Sequence, residues 1–135
     1  MTETYGAAWC VAIDPVNGAH VRAQRCNACH AVITQASIAC PSCGKRGTLE
    51  EFRVIDRGRL HSWSIVHRSY PGIAVPFISA IVDMDDGTVL KGVLRGVEPE
   101  PAAVRFDMPV RLVLRDAGRK DSRGNIYISY FFEAA

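Results

Sequence analysis

Two cysteine pairs, Cys26-Asn27-Ala28-Cys29 and Cys40-Pro41-Ser42-Cys43-Gly44, stand ten residues apart and constrain this chain more than any other feature. Each Cys-x-x-Cys knuckle is a tight turn that aims both sulfurs at one point. Two knuckles at this separation present four thiolates to one tetrahedral ion, and Zn²⁺ fits such a set best, with Cys26, Cys29, Cys40 and Cys43 as ligands. Four thiolates close the coordination sphere, whereas a catalytic zinc keeps an open position, so a structural role is expected. Gly44 sits where the backbone after a knuckle often needs a positive φ. The string Cys26-Asn27-Ala28-Cys29-His30 also has the form of a c-type haem attachment motif. That alternative leaves the second pair unexplained.

The chain has 135 residues, enough for one ordinary domain or two small units sharing a core. With 48% hydrophobic and 22% charged residues it has the balance of a soluble globular protein. A net charge of +2 creates no global field that demands a polyanion. The longest mostly apolar run, Gly72 to Val82, is broken by Pro76 and falls short of the ~20 residues that span a bilayer. The first residues, Met1-Thr2-Glu3-Thr4-Tyr5, lack a basic segment followed by an apolar one, so no signal peptide is expected. Cysteines in metal spacing imply a reducing compartment, with the cytoplasm as the expected location.

Asp14-Pro15-Val16-Asn17-Gly18 is a strong turn signal. His20 to Arg25 alternates into the first knuckle like a short strand, and Ala31 to Thr34 is its expected return. The layout is that of a zinc ribbon, whose core is too small to fold alone; in small zinc peptides the metal supplies on the order of 10 kcal/mol or more. After Gly47 the cysteines stop and β-formers dominate. The expected strands are Leu49–Val66 with a bend at Arg57-Gly58, Phe77–Asp83, Thr88–Leu94, Val110–Asp116 and Ile126–Phe132, with Asp85-Asp86-Gly87 turning a hairpin. Ile78, Ala80, Val82 and Met84 share one strand face; Ile126, Ile128, Tyr130 and Phe132 share another. Val97–Phe106, with Pro99 and Pro101, reads as a connection with room for a helical turn. Strands at this spacing, with the long connection between the third and fourth, suit a five-stranded barrel of the OB type. The expected fold is therefore mostly β: an N-terminal segment over 1–19, a rubredoxin-like zinc ribbon over 20–47 and an OB-fold barrel over 48–135.

Other chemistry-bearing residues read more plainly. Cys10, between Trp9 and Val11, is expected as a small buried residue. Period two places His61 and His67 on the face of Trp63 and Ile65, as surface or core histidines rather than general bases. Asp83, Asp85 and Asp86 read as a solvated turn. Arg105, Arg111, Arg115, Arg119, Lys120 and Arg123 make the C-terminal third basic, either as a solvated edge or as a field for a phosphate-bearing ligand. Tyr70, Ile73, Val75 and Phe77, around Pro71-Gly72 and Pro76, form a candidate exposed loop that docks on a partner.

Three stretches, taken with the cysteine frame, resemble a known family. They are Gly58-Arg59-Leu60-His61-Ser62-Trp63-Ser64-Ile65-Val66, Pro76-Phe77-Ile78-Ser79-Ala80-Ile81-Val82-Asp83 with the hairpin Asp86-Gly87-Thr88, and Met108-Pro109-Val110-Arg111-Leu112-Val113-Leu114. Together they look like the zinc-ribbon/OB-fold family of acyl-CoA-associated proteins, over roughly Val21 to Phe132. The resemblance implies a non-catalytic small subunit of a thiolase-like enzyme. Examples are the partners of diacetylphloroglucinol acetyltransferase, of benzoylsuccinyl-CoA thiolase and of steroid side-chain aldolases. It further implies a thiolase-fold catalytic partner, a heterotetramer of two small and two large subunits, and a coenzyme A thioester bound with the partner. The alternative is an OB-fold module for single-stranded nucleic acid, with Trp63, Tyr70, Tyr127 and Phe131 stacking on bases. A pI near 8.3 disfavours it, since such domains run above about 9.

Overall fold

In the computed structural model the described residues are 5–14, 18–120 and 123–135, with the side chains of 5–7, 14, 119 and 120 outside the description. The centre of the expected turn, Pro15-Val16-Asn17, lies outside the described residues, as do the side chains of Arg119 and Lys120. The described elements are ten strands and one turn of 3₁₀ helix. They are β1 (Tyr5–Ala7), β2 (Val11–Asp14), β3 (Gly18–Cys26), β4 (Val32–Ile33), β5 (Leu49–Arg53), β6 (Arg57–Val66), β7 (Phe77–Met84), β8 (Val89–Arg95), β9 (Pro109–Lys120) and β10 (Ile126–Ala134), with the helical turn at Pro101–Ala103. No helix among them is long and apolar enough to cross a membrane. The chain clusters into two compact units, Met1–Val54 with Leu114–Ser129 and Ile55–Val113 with Tyr130–Ala135.

In the first unit β3 is the central strand. It pairs antiparallel with β2 through Val11↔Val21, with β4 through Gln24↔Ile33, and with β5 from Arg22↔Arg53 to Cys26↔Leu49. The inward positions Val21, Ala23 and Cys26 are buried, and all are small. β1 adds in parallel to the start of β10, Tyr5 opposite Ile126.

The second unit is a barrel. It holds β6, β7 and β8 with the start of β9 and the end of β10; the sheet order is β10-β8-β7-β6-β9, and an additional β10–β9 pairing closes the sheet on itself. Closure removes unpaired edges, as in the OB fold. β7 follows the period of a half-buried strand: Ile78, Ala80, Val82 and Met84 are buried. Leu60, Leu90, Leu94, Val104, Met108, Val110, Leu112, Phe131 and Phe132 join them in the core. On β10 both Phe131 and Phe132 are buried, so the alternation expected there breaks at its end. Gly58 has no room for a side chain, since a Cβ there would meet the Asp83 carbonyl oxygen at 2.7 Å.

Two departures from expectation have physical causes. The expected bent strand Leu49–Val66 is two strands, because β5 spends its hydrogen bonds on β3 and the Val54 N–H turns to the Val21 carbonyl at 2.9 Å. One of the breaks between the compact units falls directly after this strand, at Val54/Ile55. Second, β6 is not strictly periodic. A β-bulge between Leu60 and Ser62 shifts its register against β7, so Leu60 faces inward and, after the bulge, Trp63 and Ile65 stand opposite the buried Ala80 and Ile78. One inserted residue reverses the facing of all that follow. His61 is thereby exposed and separated from the Trp63 face, and His67 falls beyond the strand.

Candidate metal centre

Both knuckles have the same local hydrogen-bond plan. The Cys26 N–H reaches the Ala31 carbonyl and the Cys40 N–H the Lys45 carbonyl, each at 2.9 Å. The His30 N–H closes back on the Cys26 carbonyl at 2.8 Å, and the Gly44 N–H on the Cys40 carbonyl at 2.7 Å. His30 and Gly44 occupy the same left-handed position, with φ of 66° and 79°. Glycine reaches that region without cost and histidine is tolerated there. The histidine that completes a haem-type string thus holds the place of a knuckle glycine.

The knuckles bring Cys26, Cys29, Cys40 and Cys43 together, all four sulfurs lying within 4.8 Å of one another. Cys26 Sγ is 3.8 Å from Cys43 Sγ, and Cys29 Sγ is 3.5 Å from Cys40 Sγ. Four sulfurs about 2.3 Å from a common ion, at tetrahedral angles, are about 3.8 Å apart, so these spacings suit a Cys₄ zinc site. Cys26 and Cys40 are buried; Cys29 and Cys43 are exposed.

The proton chemistry of the set points the same way. The Thr48 hydroxyl, 3.2 Å from the sulfur, holds Cys26 down to about 6, helped by the Cys29 and Ala28 N–H groups and opposed by burial. The Cys43 N–H lowers Cys40, against burial and with help from the Ser42 N–H. Cys43 is pushed up to about 11: the Lys45 N–H works against the rise, and burial with the sulfurs of Cys40, Cys26 and Cys29 drives it. Four clustered sulfurs cannot all ionise without a cation, and a dication removes that conflict. Thr48 has no motif to mark it. It reaches the cluster because Gly47, with φ of 73°, redirects the chain, and the Thr48 carbonyl accepts the Asn27 N–H at 2.8 Å.

Cys10 is buried, as expected, and burial raises its thiol. Its neighbour Trp9 is stacked under the Arg22 guanidinium, 4.4 Å from the ring centroid, and accepts the Arg22 Nε–H at its carbonyl. In the barrel, the aspartates of the hairpin serve separate ends. Asp83 Oδ2 lies 2.9 Å from His61 Nδ1, while Asp86 accepts the Thr88 N–H through Oδ1 and the Ile55 N–H through Oδ2. Asp86 therefore ties the hairpin to the entry of the barrel, a task that turn chemistry alone does not reveal. The stacking candidates do not share a common state: Tyr70 is exposed, Trp63 and Tyr127 are half-buried, and Phe131 is buried beneath the Arg95 guanidinium at 3.5 Å.

Comparison with known proteins agrees with this architecture. The family described as ChsH2, C-terminal OB-fold domain, matches residues 51–115. A DUF35 domain-containing scaffold protein of Methanothermobacter thermautotrophicus is 30% identical over 112 residues, covering 81% of this chain and 80% of that protein. A 3-oxo-4,17-pregnadiene-20-carboxyl-CoA hydratase alpha subunit of Mycobacterium tuberculosis is 39% identical over 61 residues, 44% of this chain but 19% of that subunit. Among solved structures, the Ltp2-ChsH2(DUF35) aldolase superposes with a TM-score of 0.65 at 24% identity, over 85% of this chain and 84% of that one, which establishes likeness of fold.

Proposed function

This chain belongs to the family of DUF35 domain-containing scaffold proteins, and from that premise we propose that it is a non-catalytic accessory subunit of an enzyme complex acting on acyl-CoA thioesters. The observation that carries the proposal is the way its relatives divide. One is named a scaffold and is matched over 80% of its length; the other is named an acyl-CoA hydratase subunit, and the matched stretch is 19% of it. A module that stands alone in one protein and is fused into a CoA-processing subunit in another is suited to serve a neighbour's chemistry. The catalytic partner is proposed to be a thiolase-fold enzyme that supplies the nucleophile, in a cytoplasmic heterotetramer of two small and two large subunits. The exposed basic side chains of the barrel give its acyl-CoA phosphates an attractive field.

Zn²⁺ in this scheme is structural. Cys26, Cys29, Cys40 and Cys43 would hold it, and bound there it would join the two knuckles and replace the thiol protons. Thr48 would keep its hydroxyl on the Cys26 sulfur and fix that ligand's orientation.

Co-purification tests the proposal. The tagged chain should bring down the thiolase-like enzyme encoded beside it, in equal stoichiometry and with one zinc per small subunit. Alone it should turn over neither acetoacetyl-CoA nor any other acyl-CoA thioester. Robust turnover by the isolated chain would overturn the accessory role.

A further inference from the structure

Between β6 and β7 the chain turns outward and exposes three apolar side chains: Tyr70 at 81%, Ile73 at 46% and Val75 at 42%. The turn is formed, since the Ile73 N–H meets the Tyr70 carbonyl at 3.2 Å and Gly72 takes a φ of 87°. Its charge is one-sided. From Gly58 through Val82 the sequence contains no aspartate or glutamate. Lower on β6, Arg59 has Asp107 at 3.8 Å and His61 has Asp83. At the loop, exposed His67 and Arg68 have no carboxylate at ion-pairing distance among the described residues. An apolar tip beside the unanswered guanidinium of Arg68 is complemented by an apolar pocket with a carboxylate at its edge.

We infer that residues 67–76 are the docking element of this subunit, seated in a pocket of that chemistry on a folded protein partner. The inference rests on the accessory role proposed above and names the surface through which it acts. Two alternatives fit the side chains less well. A single strand needs successive flat faces, and Tyr70 alone offers one while Ile73 and Val75 offer none. An anionic membrane is held by clusters of about four to eight cations, and this loop carries Arg68 with one histidine. An aromatic beside aliphatic anchors, framed by charge, is the composition of a protein hot spot.

Photo-crosslinking in the native host tests it. p-Benzoylphenylalanine placed at Ile73 is compared with the same probe at Val89, an exposed β8 position. The Ile73 probe should give an adduct identified by mass spectrometry as a subunit of an acyl-CoA enzyme, and the Val89 probe should not. With the purified complex, Ile73→Asp should weaken binding at least tenfold and Arg68→Glu several-fold, both with an unchanged melting profile. An enzyme adduct from Val89 alone or equally from both positions, or full affinity in Ile73→Asp, would overturn the docking surface while the accessory role stands. No enzyme adduct from either position, with RNA, lipid or nothing attached instead, would overturn both.

Discussion

In the barrel unit the largest fully buried side chains are Phe132, Leu60, Ile78, Val82, Val110 and Thr88; in the ribbon unit they are Val21, Cys26 and Cys40. The barrel holds together by burying bulky apolar groups, each contributing about 1.5–3 kcal/mol. The ribbon buries small residues and two thiols, and its knuckles leave Cys29 and Cys43 exposed. Burial of that kind does not offset the conformational entropy of so many turn residues. The same chain thus has two kinds of interior: apolar burial where a closed sheet supplies one, and, where it does not, four thiols gathered in a cluster that could hold a metal ion.

The comparison breaks most visibly on metal removal. Chelation, or Cys40→Ser, should unfold the ribbon, with a loss on the order of 10 kcal/mol of binding free energy. Hydrogen exchange should show protection lost along Val21–Cys26 and kept along Ile78–Met84. Simultaneous loss in both stretches would mean that the barrel also depends on the ion. The metal-free protein sharpens the point. If chelation unfolds the ribbon as expected, Cys26 and Cys43 should alkylate alike, near the ordinary thiol value of 9.0; separate profiles, about 6 for Cys26 and about 11 for Cys43, would show that the knuckles outlast the ion. In that folded arrangement the lowered Cys26 thiol contributes stability in full above 9.0, and the contribution is lost as pH falls through about 6.

Phe132→Ala addresses the other side. Phe132 is fully buried, so its truncation should cost about 3–5 kcal/mol and lower the barrel's melting transition, with zinc stoichiometry unchanged. Gly58→Ala should cost about 1–3 kcal/mol, since the added methyl meets the Asp83 carbonyl rather than a yielding side chain. Asp83→Asn should cost less than about 1 kcal/mol, because the His61–Asp83 pair is exposed; chemical denaturation would measure each.

The cysteine cluster was legible because knuckle geometry is written in local spacing: Cys26, Cys29, Cys40 and Cys43 meet as their intervals require. The buried face of β7 was legible because its alternation is unbroken. The exposed loop showed itself through Tyr70, Ile73 and Val75 set among Pro71, Gly72 and Pro76, whereas Phe77 of the same expected set is half-buried at the start of β7. The end of β10 was less so, because Phe131 turns inward out of phase.

Local order therefore determined the knuckles, the hairpin and the strand content, since each depends on residues a few positions apart. Tertiary structure alone decided that Leu49–Arg53 pairs with β3, that a bulge at Leu60/Ser62 separates His61 from Trp63, that Thr48 reaches the Cys26 sulfur and that Asp86 holds the Ile55 N–H. Each of those choices is made by a partner distant in sequence, competing for the same hydrogen bond or the same side of a sheet. Residue spacing carries no record of that competition.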